Sequence, residues 1–231
     1  MWLNDKQTTD VTLKEYREFL LGTSPNHVVI DGLFNETKLD EVMNVLQQPQ
    51  HWQTQQHTYA ELYVGNAQWQ MTNNAQRFVQ RDVWQPDVVS TDMAQEFLLY
   101  LRGGEFMSVL SRVFNVPLTD INVAHPEINT KYFRLASNDF VKQHADDSPG
   151  RKVCMLLYLN KNWSEKAGGK LGFTGKKVGK EHRQPIAISP LYNRCVLFDP
   201  SSAGSEHWVE TLNAEYADQY RYNITSWYWE K

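Results

Sequence analysis

Two histidines, a carboxylate and an arginine stand where they could build a metal centre with an anion seat beside it. His144 and Asp146 are separated by one residue. Side chains two apart on an extended segment point the same way, so both can reach one ion. His207, far downstream at the start of a strand-like segment, can complete a facial set of two imidazoles and one carboxylate. Such a set leaves adjacent coordination positions open and suits non-haem iron(II). The short motif is weak alone, since a chain with seven His produces His-x-Asp by chance about 0.4 times. Asp147 is the alternative carboxylate if the register differs. Arg221 opens the last aromatic segment. A guanidinium inside a barrel is costly unless it meets an anion, and a dicarboxylate would supply one through two parallel hydrogen bonds. Pointing outward, the same arginine would be an ordinary solvated residue.

The elements that must position these residues change character along the chain. Thr12 to Leu21 has a helical apolar pattern ending at Gly22, and His27 to Ile30 is a short β-branched run that suits a strand. Asn35 looks like the cap of a helix carrying Leu39, Val42, Met43 and Leu46. A third helical region starts near Ser90 and Thr91, breaks at Gly103-Gly104, and resumes through Phe106, Leu110 and Phe114. From Asn129 onward the pattern turns to strands. Val153 to Leu159 reads as a strand buried on both faces, and Ile186 to Ser189, Arg194 to Phe198, His207 to Glu210 and Tyr220 to Trp229 follow at short intervals. In the last of these, residues 221, 223, 225 and 227 share one face. Helices first and strands second predict an α+β chain with a double-stranded β-helix, or jelly-roll, core. The expected organisation is one domain over 1–231, with 1–128 mainly helical support that covers the substrate and 129–231 the catalytic core.

Composition narrows the function classes. A formal net charge of −4 and a pI near 6.0 give no basic footprint for nucleic acid. No stretch approaches the apolar length of a membrane span, and the polar start lacks a signal-like run, so a cytoplasmic, membrane-free protein is expected. Cys154 and Cys195 sit in apolar runs and read as reduced core residues. Aromatics at 13% hint at a lined cleft. His51, His57, His125 and His182 show no ligand spacing, so a second metal is not expected. Lysines 166, 170, 176, 177 and 180 with Arg183 read as a solvated hairpin.

The ordered landmarks go further than the motif. They are His144-Ala-Asp146, Arg151, Leu157-Tyr-Leu-Asn160 with Trp163, and Gly168-Gly169-x-Leu171. After them come Ile188-Ser-Pro190 with Asn193-Arg194, Phe198, Glu206-His207 and Arg221-Tyr-Asn-Ile-Thr-Ser-Trp227. In this order the segment resembles the catalytic core of the prolyl-hydroxylase branch of the Fe(II)/2-oxoglutarate-dependent dioxygenases. The resemblance implies iron on His144, Asp146 and His207, and the distal carboxylate of 2-oxoglutarate on Arg221. It implies Tyr158 as a donor to the same carboxylate, Asn223 as a support for Arg221, and Leu171 against the cosubstrate chain. It implies O2 as the other cosubstrate and leaves room for ascorbate as an auxiliary reductant. The reaction implied is hydroxylation of an unactivated C–H, with succinate and CO2 as coproducts. Relatives that halogenate carry Gly or Ala at the carboxylate position, so Asp146 points to hydroxylation.

One departure bears on substrate. Where close relatives place a metal-facing Tyr, this chain has Arg134 and Leu135, with Tyr132 two residues earlier. Arg134 thereby becomes a candidate for an anionic substrate group, against the blander reading of an exposed strand residue. The expected substrate is a free amino acid, or an amino-acid residue of a peptide or protein, with proline one option. Oligomeric state leaves no signature. Two other classes stay open: a catalytically silent jelly-roll binding or sensing module, and a cupin-type metal enzyme that does not use 2-oxoglutarate.

Overall fold

Helices form where the sequence supplies both a cap and an apolar stripe. In the computed structural model, which describes residues 1–87, 91–121, 125–178 and 182–231, the Thr9 side chain accepts from the Thr12 N–H and opens α1 (Asp10–Gly22). Strand β1 (His27–Asp31) follows, then Asn35 caps α2 (Glu36–Leu46). Next come β2 (Trp52–Thr58), α3 (Asn66–Met71) and β3 (Arg77–Trp84). A capping box between Asp92 and Gln95 starts α4 (Met93–Leu101), and α5 (Gly104–Phe114) ends at Asn115 in the left-handed region. The remaining elements are strands: β4 (Leu118–Thr119), β5 (Thr130–Leu135), β6 (Phe140–His144), β7 (Arg151–Tyr158), β8 (Leu171–Val178), β9 (His182–Ile188), β10 (Arg194–Phe198), β11 (His207–Val209) and β12 (Arg221–Glu230). Ser90 and Lys180 lie outside the described residues, as do the side chains of Lys176, Lys177, His182 and Arg183.

The strands hydrogen-bond in the order β1-β10-β7-β12-β5-β3-β6-β11-β8-β9, with β2 added beside β3 and β4 beside β12. This antiparallel sheet curls on itself as a jelly-roll core. The apolar patterns predict β7, β9, β10, β11 and β12, but not β2, β3 or β8. Gln55 and His57 of β2 and Arg81 of β3 stand on the cavity wall, where polar residues take positions that an apolar alternation would need. Pairing along almost all of both strands, from Trp52↔Trp84 to Thr58↔Arg77, makes them strands despite their composition.

Alternation divides the core into two layers. Val153, Met155, Leu157 and Leu159 of the β7 segment, with Ile224 and Tyr228 of β12, face outward and pack under the helices against Leu39, Phe97, Phe106 and Leu110. Their neighbours Cys154, Leu156 and Tyr158 point inward and meet Leu171, Phe173 and Phe198. Truncating one of these fully buried leucines to alanine would cost about 2–5 kcal/mol. Both cysteines are free and buried, as their apolar runs predict. Arg221, Asn223, Thr225 and Trp227 all line an interior cavity of about 660 Å³, so the shared face read from the alternation is the cavity face. Among the described residues, no helix is long and apolar enough to cross a membrane.

Candidate active site

Register brings the two histidines together. β6 and β11 pair so that His144 stands directly opposite His207, and their ring centroids lie 4.2 Å apart. Asp146 follows β6 and turns its carboxylate back toward them. His144 Nε2 is 3.7 Å from Asp146 Oδ1, and His207 Nε2 is 3.6 Å from Asp146 Oδ2. The ligand atoms of the three residues all lie within 4.8 Å of one another. The other ring nitrogens fix the tautomers. His144 Nδ1 sits 2.8 Å from the Lys142 carbonyl and His207 Nδ1 sits 3.0 Å from the Ser205 carbonyl, so each Nδ1 is the donor. Each Nε2 therefore presents a lone pair. Burial and the neighbouring His144 push His207 down to about 4, against the pull of Asp146, which keeps this imidazole neutral. Burial pushes the Asp146 carboxyl up, but the two imidazoles, the Trp227 N–H and Arg151 outweigh it and hold it below the usual range. Two imidazole lone pairs and a carboxylate converging with no donor between them could hold a divalent cation, and the donor set is that of a non-haem iron site.

Asp146 is itself held. Trp227 Nε1 donates to its Oδ2 at 2.9 Å, and Arg151 Nη1 donates to its backbone carbonyl at 2.7 Å. Arg151 is flanked by the Trp227 and Trp229 rings. A ligand carboxylate fixed by such a partner keeps its geometry in the absence of the ion.

The far end of the cavity carries a cation with too few partners. Arg221 is 1% exposed. Its Nε donates to the Gly169 carbonyl at 2.7 Å and its Nη1 to Asn223 Oδ1 at 2.8 Å. Nη2 is buried with no hydrogen-bond partner, and so is the Tyr158 hydroxyl. The guanidinium carbon lies 4.8 Å from the Tyr158 ring centroid, so the two orphaned donors share one neighbourhood. Gly169 makes room for this cluster. Its φ is +70°, and a Cβ there would stand 2.9 Å from Arg221 Cδ. Burial lowers the Arg221 pKa and raises that of Tyr158, with each group opposing the shift of the other. Two buried donors without acceptors fit a carboxylate.

Residues 130–229 match the family model of the 2OG-Fe(II) oxygenase superfamily. The matched stretch runs from β5 to β12 and contains all three members of the cluster. The chain therefore offers a matching donor set for the Fe(II) in that family's name. It is 27% identical over 129 residues to the mouse protein Prolyl 3-hydroxylase OGFOD1, a match spanning 54% of this chain and 22% of that relative. The aligned part thus spans about a fifth of the relative's length. Among solved structures, a Pseudomonas putida prolyl-4-hydroxylase superposes with a TM-score of 0.62 at 14% identity, covering 95% of this chain and 99% of that one. A Trichoplax adhaerens prolyl hydroxylase, solved with a hypoxia inducible factor oxygen degradation domain peptide fragment, gives 0.63 at 21%, covering 98% and 92%. These two likenesses establish the fold.

Most residues singled out from the sequence meet around the cavity. His144, Asp146, His207, Arg221, Asn223 and Leu171 line it, and Tyr158 lies buried beside Arg221. Arg134 does not reach it. On β5 it pairs with Tyr222, which faces the outer layer, and directly opposed residues share a face. There Arg134 ion-pairs with Asp82 at 2.9 Å and lies between the Trp52 and Tyr220 rings. Asp147 is absent from the three-residue cluster. Arg81, one of the mixed aromatic and charged residues of the N-terminal half, enters the cavity wall from β3, and Gln55, which no sequence signal singled out, enters it from β2.

Proposed function

We propose that this protein is a 2OG-Fe(II) oxygenase that hydroxylates an unactivated C–H of an amino acid or of an amino-acid residue in a peptide, with proline as the first residue to test. In this reading His144, Asp146 and His207 hold the iron. Arg221 and Tyr158 take the distal carboxylate of 2-oxoglutarate, Asn223 orients Arg221, and Leu171 packs against the cosubstrate chain. The observation that carries it is the pair of orphaned buried donors, Arg221 Nη2 and Tyr158 Oη, of which Arg221 lines the same cavity as the three converging acceptors and Tyr158 lies beside it. When bound, iron and 2-oxoglutarate supply the oxidising chemistry, with succinate and CO2 as coproducts.

The chain's own residues do the positioning. The carbonyls of Lys142 and Ser205 hold the imidazole N–H groups, so both Nε2 lone pairs aim at one point. The Trp227 N–H fixes one carboxylate oxygen of Asp146. Leu156, Leu171 and Val209 line the cavity and limit water beside the reacting centre. The prolyl emphasis rests on the mouse relative, a prolyl 3-hydroxylase, and on the prolyl hydroxylase fold neighbours.

The test is succinate formation from 2-oxoglutarate with Fe(II), scored with L-proline and with proline-containing peptides, and with mass spectrometry for gain of one oxygen atom. Expected is metal-dependent turnover that Arg221→Ala abolishes. Activity surviving Arg221→Ala would instead favour a cupin-type enzyme. Failure to bind either metal or 2-oxoglutarate would favour a silent module.

A further inference from the structure

The charges around the cavity do not balance once the proposed ligands are in place. Among the described residues, the charged side chains lining it are Arg81, Lys131, Arg151 and Arg221 against the single carboxylate of Asp146. A dication and a dicarboxylate would cancel each other. Arg221 is then assigned to the cosubstrate, and Arg151 is committed to the backbone and carboxylate of Asp146. Arg81 remains, with Lys131 nearby on the same wall.

Arg81 is held as a fork with its prongs free. One face of its guanidinium lies 3.4 Å from the Phe133 ring centroid. Its Nε donates to Gln55 Oε1 at 3.2 Å, and Gln55 stands directly opposite it on β2. No hydrogen bond or ion pair among the described residues engages its two terminal nitrogens. Asp82, the next residue, is no partner, because it lies on the outer face with Arg134. Inward direction follows from register: Val79 pairs with Val141 and Val83 with Phe133, and Val79, Val141 and Phe133 line the cavity, as does Arg81 between the two valines. His57, one step along the same face of β2, adds a buried Nε2 with no partner. Burial and Arg81 hold His57 down to about 4, so it offers a neutral imidazole rather than another cation. A stacked, tethered guanidinium with both Nη groups open, beside an unpaired neutral imidazole, matches a planar carboxylate.

We infer that Arg81, backed by Gln55 and Phe133 and assisted by His57, binds a carboxylate of the substrate itself. This rests on the proposed function and narrows it to substrates that carry a negative charge near the carbon to be oxidised. The carboxylate has two sources, the α-carboxylate of a free amino acid or an acidic side chain beside the target residue.

The experiment uses the full chain loaded with Mn(II) and 2-oxoglutarate under anaerobic conditions, with binding read by calorimetry. Two probe pairs differ only in carboxylate against amide: L-proline with L-prolinamide, and acetyl-Pro-Asp-amide with acetyl-Pro-Asn-amide. In the wild type, one acid is expected to bind at least about tenfold tighter than its amide, and the pair that does so identifies the source. In Arg81→Gln the preference disappears while 2-oxoglutarate affinity holds within about threefold. Arg81→Lys, which keeps the charge but not the fork, falls between them. Equal binding of acid and amide in both pairs overturns the inference, and needs no variant. So does an Arg81→Gln effect of equal size on 2-oxoglutarate, which would place Arg81 on the cosubstrate. A wild type that binds no Mn(II) or 2-oxoglutarate sinks the reading of the site itself, a separate result.

Discussion

Tyr158→Phe should move stability and cosubstrate affinity in opposite directions. The Tyr158 ring is fully buried, and its hydroxyl has no hydrogen-bond partner in the ligand-free fold. Phenylalanine fills the same volume, so no cavity opens. Removing an unpaired buried hydroxyl relieves a desolvation penalty of about 1–3 kcal/mol. The ligand-free variant should therefore gain about 1 kcal/mol or more, a rise in Tm of about 2–4 °C for each kcal/mol at this chain length. With 2-oxoglutarate the sign reverses. A hydrogen bond to a charged carboxylate contributes about 1.5–3 kcal/mol, so its loss should weaken binding about 10- to 150-fold. Thermal unfolding without ligand gives the first quantity, and calorimetric titration of the Mn(II)-loaded protein gives the second. A structural role for the hydroxyl would destabilise the free protein and leave affinity alone. Either a lowered ligand-free Tm or an affinity within twofold of wild type refutes the reasoning.

Two further variants separate support from chemistry. Trp227→Phe removes the donor to Asp146 Oδ2 at 2.9 Å and should weaken Mn(II) binding about 10- to 100-fold. The fold and the far-ultraviolet circular dichroism should be unchanged. Arg134→Ala strips the partner from Asp82 in a largely buried pair whose side chains are 11% and 18% exposed. It should cost about 2–4 kcal/mol in denaturant unfolding while 2-oxoglutarate affinity stays at the wild-type value. A changed affinity would put Arg134 back in the pocket.

Local chemistry carried much of the fold and most of the site. Caps at Thr9 and Asn35 start helices because a side-chain oxygen satisfies an otherwise orphaned N–H of the first turn. The alternation in residues 221–228 marks a cavity face because strand geometry forces side chains to opposite sides. The order of landmarks from His144 to Trp227 pointed to His144, Asp146, His207, Leu171, Arg221 and Asn223, which the structure draws around one cavity. Tertiary structure decided what local pattern cannot express. β2 has no apolar rhythm, since Gln55 and His57 stand on its inner face, and β3 breaks its own with Arg81 between Val79 and Val83; pairing with each other, and of β3 with β5 and β6, makes them strands. The phase of β5 is set by its register with β12, which turned Arg134 outward to Asp82 and Phe133 inward under Arg81. Periodicity tells which residues share a face. Which face becomes the cavity depends on pairing between segments distant in the chain, and that is where Arg81 acquired its place in the wall of the cavity that His144, Asp146 and His207 also line.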